Sequence, residues 1–219
     1  ITAEANLFYN HISNFIFIEK LNSTSGGDSL TNGYKTFSYT SGNANLYGAE
    51  LTIDFHPHPL DWLHFENSFS FVQSQQVNQP DSMKYLPFTP SPKLHSEIRA
   101  NAKKIGNYLA NSFIRLALDN YFKQNHFYSA FGTETATAAY TLLNAGIGSD
   151  LISNKRTLFS FYISVNNLTN TAYQNHLSRL KYLAENNATG RMGIFNMGRN
   201  FSIKLIIPFD IKKKSTKMK

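Results

Sequence analysis

The sequence predicts an all-β chain, an antiparallel transmembrane β-barrel segment of about eight strands with long extracellular loops and short periplasmic turns. Three observations predict it. Eight segments alternate apolar and polar residues with period two, the mark of strands whose faces differ chemically. The links between them are alternately long and short. Charged residues make up only 16% of the chain, against roughly 25% in soluble domains, while aromatics reach 14%.

The first segment, "NLFYNHISNFIFIEK" at residues 6 to 20, places Asn6, Phe8, Asn10, Ile12 and Asn14 on one side and Leu7, Tyr9, His11, Phe15 and Phe17 on the other. The second, Asn45 to His56, sets Tyr47, Ala49, Leu51, Ile53 and Phe55 against Gly48, Glu50, Thr52, Asp54 and His56. The third sets Leu63, Phe65, Phe69 and Phe71 against Trp62, His64, Glu66, Ser68 and Ser70. In the fourth, Leu94, Ile98, Ala100 and Ala102 oppose His95, Glu97, Arg99 and Asn101. The fifth puts Tyr108, Ala110, Ile114, Leu116 and Leu118 opposite Asn111, Arg115 and Asp119, with Phe113 interrupting the polar row. The sixth is a weaker alternation, Leu143, Ala145 and Ile147 against Tyr140, Asn144, Gly146 and Gly148. The seventh opposes Phe159, Phe161, Ile163 and Val165 to Ser160, Tyr162, Ser164 and Asn166. The eighth opposes Phe201, Ile203, Leu205, Ile207 and Phe209 to Asn200, Ser202 and Lys204. Helical spacing is nowhere sustained, and no run approaches the ~18 apolar residues of a membrane-crossing helix.

Long links fall at 19 to 44, 73 to 92, 123 to 136 and 169 to 198, and the short ones are "PHPLD", "KKIG" and "SDLISNKR". Antiparallel neighbours put alternate links at opposite ends, so all long loops lie at one end and all short turns at the other, as in outer-membrane barrels. A soluble β-sandwich or lipocalin-like barrel also alternates, but its outer face would need more charge than these polar rows of Asn, Ser, Gly and Tyr carry. The apolar rows, including Leu7, Tyr9, Phe15 and Phe17, are therefore expected to face outer-membrane lipid, with end rings forming interfacial girdles.

The absence of cysteine excludes a disulfide scaffold and a zinc-thiolate centre. The tail "DIKKKSTKMK" supplies four of the seven net positive charges, so the basic balance reflects a solvated terminal run and no nucleic-acid surface. The chain opens on Ile1 with no charged-then-apolar leader, as expected of a processed chain or a fragment.

Several stretches together resemble the C-terminal part of the barrel of TonB-dependent outer-membrane receptors. They are "NLFYNHISNFI", "YGAELTIDFHP" from Tyr47, "YLPFTPSPKLHSEI" from Tyr85, "YTLLNAGIG" from Tyr140, "FYISVNNLTNTAYQNHLSRLKY" from Phe161 and "MGRNFSIKLIIPF" from Met197. The resemblance implies a 22-stranded plugged barrel, of which residues 1–209 are the C-terminal portion and 210–219 a disordered basic tail. Such barrels end on the aromatic of the last strand, here Phe209, and this chain departs from the pattern by running on beyond it. The resemblance also implies a plug, a TonB-contacting box and a signal peptide N-terminal to these residues. Its partners would be TonB, lipid and a small metal chelate or similar nutrient, and its role energised import, most naturally of an iron chelate or other metal complex. "HLSRLKY" from His176 is most similar to receptors for iron complexes, with some likeness to those handling zinc. The alternative is a complete eight-stranded barrel serving as anchor or adhesin.

If the last strand descends to the periplasm, His95 and Glu97 lie near the extracellular start of strand four, and Arg115 and Asp119 on the upper half of strand five. Either they contact an anionic chelate or metal, or cross-strand ion pairs satisfy them. His176, Arg179 and Lys181 form a second candidate in a long loop, whose other reading is packing around Leu177, Leu180 and Tyr182. His56 and His58 flank Pro57 and suit a turn. No close histidine spacing offers a preformed metal site, and no cofactor is implied. Glu50, Asp54 and Glu66 share a face, but no nucleophile is paired with an oriented base, so an enzyme is not expected. For the full-length receptor, the topology predicts that cysteines at Ser25, Ser82, Ser129 or Asn187 react with an impermeant label on intact cells. Cysteines at His58 or Ser153 should stay unlabelled; labelling there would invert the arrangement.

Overall fold

The computed structural model describes residues 1–154 and 156–209; the tail expected over 210–219 lies outside the described residues. Eight strands form one sheet: β1 (Thr2–Lys20), β2 (Phe37–Phe55), β3 (Leu63–Gln76), β4 (Lys93–Ile105), β5 (Leu109–Tyr121), β6 (Tyr140–Ser153), β7 (Arg156–Asn166) and β8 (Asn200–Ile206). Each pairs antiparallel with its sequence neighbour, and among the described residues β1 and β8 keep free outer edges. The sheet is thus an open segment of barrel wall. The remaining elements are two-residue hairpin arms in the loops and three 3-10 turns, at Asp81–Met83, Ala130–Gly132 and Arg179–Tyr182.

The apolar rows stay uncovered. Leu7 is 81% exposed and Ile203 77%, and Ile114, Leu116, Leu118, Phe201 and Leu205 are exposed as well. Buried hydrophobic residues among those described are few and small, such as Ala44, Ala117 and Ala130, with Tyr128 the largest. Folding that leaves whole rows of Leu, Ile and Phe bare is unfavourable in water and suits hydrocarbon, where strand pairing satisfies the backbone.

The register keeps like with like: Phe201, Ile203 and Leu205 oppose Val165, Ile163 and Phe161, while Ser202 opposes Ser164 with hydroxyls 2.6 Å apart. On the polar, lumen side, small residues sit across from large ones. Phe113 interrupts its polar row by pairing with Gly148, where an added Cβ would lie 2.6 Å from the Phe113 ring and 2.7 Å from that of Tyr162.

Three expectations are corrected. First, Phe15 and Phe17 do not continue the lipid-facing row of Leu7 and Tyr9. Between Ile12 and Phe15 the register shifts by one, with Asn14 at φ 55°, so a β-bulge inverts the parity of the rest of β1. Ile16 and Ile18 now pair with Ser41 and Tyr39, whereas Phe15 and Phe17 pair with Gly42 and Thr40 and turn inward; Phe17 meets the ring of Tyr128 edge-on at 6.2 Å. Second, the stretch 19 to 44 is not one long loop. Pairing continues to Lys20 opposite Phe37, and the remaining link is tied by Asp28, which accepts Lys20 at 2.6 Å and Lys35 at 3.1 Å. Third, β8 stops at Ile206 rather than Phe209, two residues before Pro208, which has no N–H to give a neighbouring strand.

The two faces differ in what they tolerate. Phe161→Arg or Leu205→Arg should cost roughly 2–4 kcal/mol of folding free energy in lipid near the midplane, and Ser164→Arg or Ser202→Arg much less. Refolding titrations into bilayers measure this, and equal costs on both faces would refute the sidedness.

Candidate functional site

The polar face of β4–β6 carries a charge network just below the long loops. Because β4 descends from its loop and β5 rises to its own, His95 and Asp119 fall directly opposite one another. His95 Nδ1 lies 2.8 Å from Asp119 Oδ1, Lys93 Nζ donates to the same oxygen at 2.8 Å, and Asn144 Nδ2 donates to Asp119 Oδ2 at 2.7 Å. One step further down, Arg115 reaches diagonally to Glu97 at 3.0 Å, and His95 Nε2 stands 4.0 Å from the same Glu97 oxygen. Arg115 has room because its register partner is Gly146, where a Cβ would approach its Nε to 3.0 Å. His95, Glu97, Arg115 and Asp119 are therefore one cluster, as the strand directions predict, and its charges are paired within it. Lys93 and Asn144 belong to it too and were not singled out in the sequence; both occupy polar-row positions next to the predicted residues.

Above this network the loops between β3 and β4, β5 and β6, and β7 and β8 pack into one body around Glu134. Its side chain has no exposure. The two carboxylate oxygens accept the backbone N–H groups of Phe88, from the first loop, and of Tyr128, the latter at 3.1 Å. From the third loop His176 places Nδ1 2.8 Å from Thr137 Oγ1 and Nε2 3.8 Å from Glu134. Lys181 donates to Thr135 O at 3.0 Å, and to Ala136 O and Thr137 Oγ1 at 2.8 Å each. Arg179 lies over the Phe88 ring at 4.8 Å, and Gln124 donates to the carbonyls of Thr89 and Pro90 at 3.0 and 2.9 Å.

Burial dominates the electrostatics of this body. It pushes the Glu134 carboxyl up, against the two backbone N–H groups that favour its charge. It lowers the Lys181 ammonium, against the attraction of Glu134. It raises the Tyr182 phenol to about 12, helped by Glu134, and lowers His176 to about 4, helped by the nearby Lys181 charge. Of the second sequence candidate, His176 and Lys181 are thus engaged in holding loops together and only Arg179 stacks at its margin. Glu134 and Tyr128, around which everything packs, carry no sequence signal beyond a lone acid and a lone aromatic in a polar loop.

A third cluster stands at the opposite, short-turn end. Asp54 is the penultimate residue of β2, His56 follows its last residue, and His64 is the second residue of β3; His56 Nε2 lies 2.8 Å from Asp54 Oδ2, and the two imidazole rings meet at 4.2 Å. Residues two apart on one strand share a face, and the turn brings the third beside them.

With His176 depressed by burial, loop packing that depends on its neutral form is complete above about pH 6.5 and is lost as the pH falls through about 4. Glu134, raised by burial, acts in the opposite sense. A nitroxide at Asn187 of the full-length receptor should gain mobility over that window, and His176→Gln should flatten the response. An unchanged acid response in the variant would take the switch away from His176.

The chain's relatives fit this architecture. Residues 1–168 match the family model described as TonB dependent receptor-like, beta-barrel. No curated protein matches the chain in sequence. Among solved structures the copper transporter OprC superposes with a TM-score of 0.71 at 13% identity, over 94% of this chain and 28% of its own. The ferric-catecholate import receptor Fiu from K12 E. coli gives 0.55 at 17%, over 94% and 25%. BauA, the ferric preacinetobactin receptor from Acinetobacter baumannii, gives 0.52 at 14%, over 93% and 27%. The chain spans about a quarter of the length of these structures. An open, antiparallel wall with apolar outer rows, polar inner rows and loops gathered at one end is what such a segment requires, and the chain belongs to the TonB-dependent receptor β-barrel family.

Proposed function

We propose that the chain is the C-terminal wall of an outer-membrane receptor that imports a scarce nutrient, an iron chelate or another metal complex, with energy supplied through TonB. The observation that carries this reading is the family match over residues 1–168. Names of the structural neighbours refer to copper, a ferric catecholate and ferric preacinetobactin, which supports a metal-containing cargo. Within the chain, His95, Glu97, Arg115 and Asp119, joined by Lys93, form the polar patch nearest the loops, and Lys93 and Arg115 are the cations able to exchange a carboxylate partner for an anionic chelate oxygen. His176, Arg179 and Lys181 serve this role by fixing the loop body above the patch. The free edges of β1 and β8 favour a wall segment over a self-contained eight-stranded anchor, which must close.

The test is uptake of radio-iron bound to a catecholate chelator by cells expressing the full-length receptor. Saturable uptake that stops on loss of TonB or of the proton gradient is expected, and TonB-independent uptake would overturn the reading. Lys93→Ala combined with Arg115→Ala should raise the half-saturating concentration at least tenfold, equivalent to about 1.4 kcal/mol. An unchanged value would move the ligand patch elsewhere on the wall.

A further inference from the structure

The cluster at the short-turn end is not used by the import reading, and its chemistry points to a ligand of its own. Asp54, His56 and His64 each present one donor atom, and these three lie within 4.8 Å of one another. In tetrahedral zinc, bonds of about 2.0–2.1 Å place ligand atoms about 3.3 Å apart. Closing the widest separation therefore asks for a shift of about 1.5 Å, within reach of rotation about the side-chain bonds of His56, which is exposed at the strand end.

The surrounding charge calls for a cation. Asp54, Glu66 and Glu97 stand opposite one another on β2, β3 and β4, so three carboxylates form one cross-strand row. Like charges placed directly across a sheet repel. Glu97 is relieved by Arg115. Arg99, across from His64, also lines this region but is engaged elsewhere: its Nε donates to Asn101 at 2.9 Å and its guanidinium lies 4.2 Å from the centre of the Phe113 ring. Among the described residues, Asp54 and Glu66 have no lysine or arginine partner within ion-pair distance. Asp54 Oδ1 is also shielded from solvent and accepts no hydrogen bond. A simple hydrogen bond from His56 accounts for Oδ2 alone; it leaves Oδ1, Glu66 and the second imidazole unexplained. A cavity of about 220 Å³, lined by Asp54, His64, Glu66, Glu97, Arg99 and Asn101, opens at this point and has room for an ion with water.

We infer that Asp54, His56 and His64 bind a divalent transition-metal ion at the short-turn end of the lumen face, with Glu66 completing the shell. Two imidazoles and carboxylate oxygens, in a chain with no thiolate, select an ion of the zinc or copper(II) type over magnesium or calcium, which prefer all-oxygen shells. The rigid part of the site is the strand register; the adaptable part is His56. The site lies at the end of the wall opposite the loop body, and it is independent of which complex the receptor imports.

Full-length receptor purified in detergent, stripped with a chelator and titrated with zinc chloride by calorimetry should bind one ion lost on substituting this cluster. His64→Ala and His56→Gln should each weaken binding at least tenfold, and Glu66→Gln severalfold. His58→Ala, in the same turn but directed at Asp61 at 3.7 Å, should leave it unchanged. Copper(II) substituted for zinc gives a second readout that does not depend on affinity: the electron paramagnetic resonance spectrum should show coupling to two nitrogens in the parent and to one in either histidine variant. Retained heat-modifiable migration on gels checks that each variant is folded. Zinc binding indifferent to Asp54, His56 and His64, a copper spectrum unchanged by the histidine variants, or no binding in the folded parent would each overturn the assignment.

Discussion

Hydrocarbon offers nothing to a backbone N–H or C=O, and each one left unpaired there costs several kcal/mol. The architecture depends on that constraint. It forces every strand of the wall to find its partner along its whole membrane-crossing length, which is why consecutive strands pair in order and why the apolar rows stay bare without penalty. Two of the three register shifts lie near strand ends, and the third interrupts β1 midway. The register shift in β1 comes after Ile12, the shift between β5 and β6 lies between Ala110 and Phe113 near the short turn, and that between β6 and β7 at Leu151 and Ile152 sits beside the next turn.

Once pairing is fixed, the polar face has little freedom, because the register dictates which charges confront each other. At the loop end it sets His95 against Asp119 and leaves Arg115 diagonal to Glu97, and the charges compensate. Toward the turn end the same row sets Asp54 against Glu66 and Glu66 against Glu97, and of these only Glu97 finds a cation, Arg115. The same lattice of strand pairs thus produces one neutral network and one acidic row. The compositional thrift of the chain makes this visible, since few other charges are present to blur it.

The strand count, the order and, outside the second half of β1, the faces were legible in the sequence because period-two alternation and the long-short rhythm of links are properties of neighbouring residues. Strand lengths were not. Ser38, Thr40, Ser41, Gly42 and Asn43 are polar on both parities, so above the membrane β2 reads as loop although its pairing continues. The inversion of Phe15 and Phe17 had a signal that parity counting ignores: asparagine tolerates the left-handed backbone a bulge needs, and Asn14 and Asn111 both occupy it at register shifts. The cluster of His95, Glu97, Arg115 and Asp119 followed from strand direction alone. Glu134 and the meeting of His56 with His64 did not, because one depends on three loops converging and the other on the turn that folds β2 onto β3.

The loop body has one more property, a division of labour between its base and its tips. Glu134 and His176, which water does not reach, and the half-buried Lys181 weld three loops at their roots, whereas the hairpins Leu30–Thr31 with Tyr34–Lys35 and Glu185–Asn186 with Arg191–Met192 are exposed throughout. Substitutions at those tips disturb no shared hydrogen bond of the weld. The tips can therefore vary in sequence while the loop body beneath them keeps its shape.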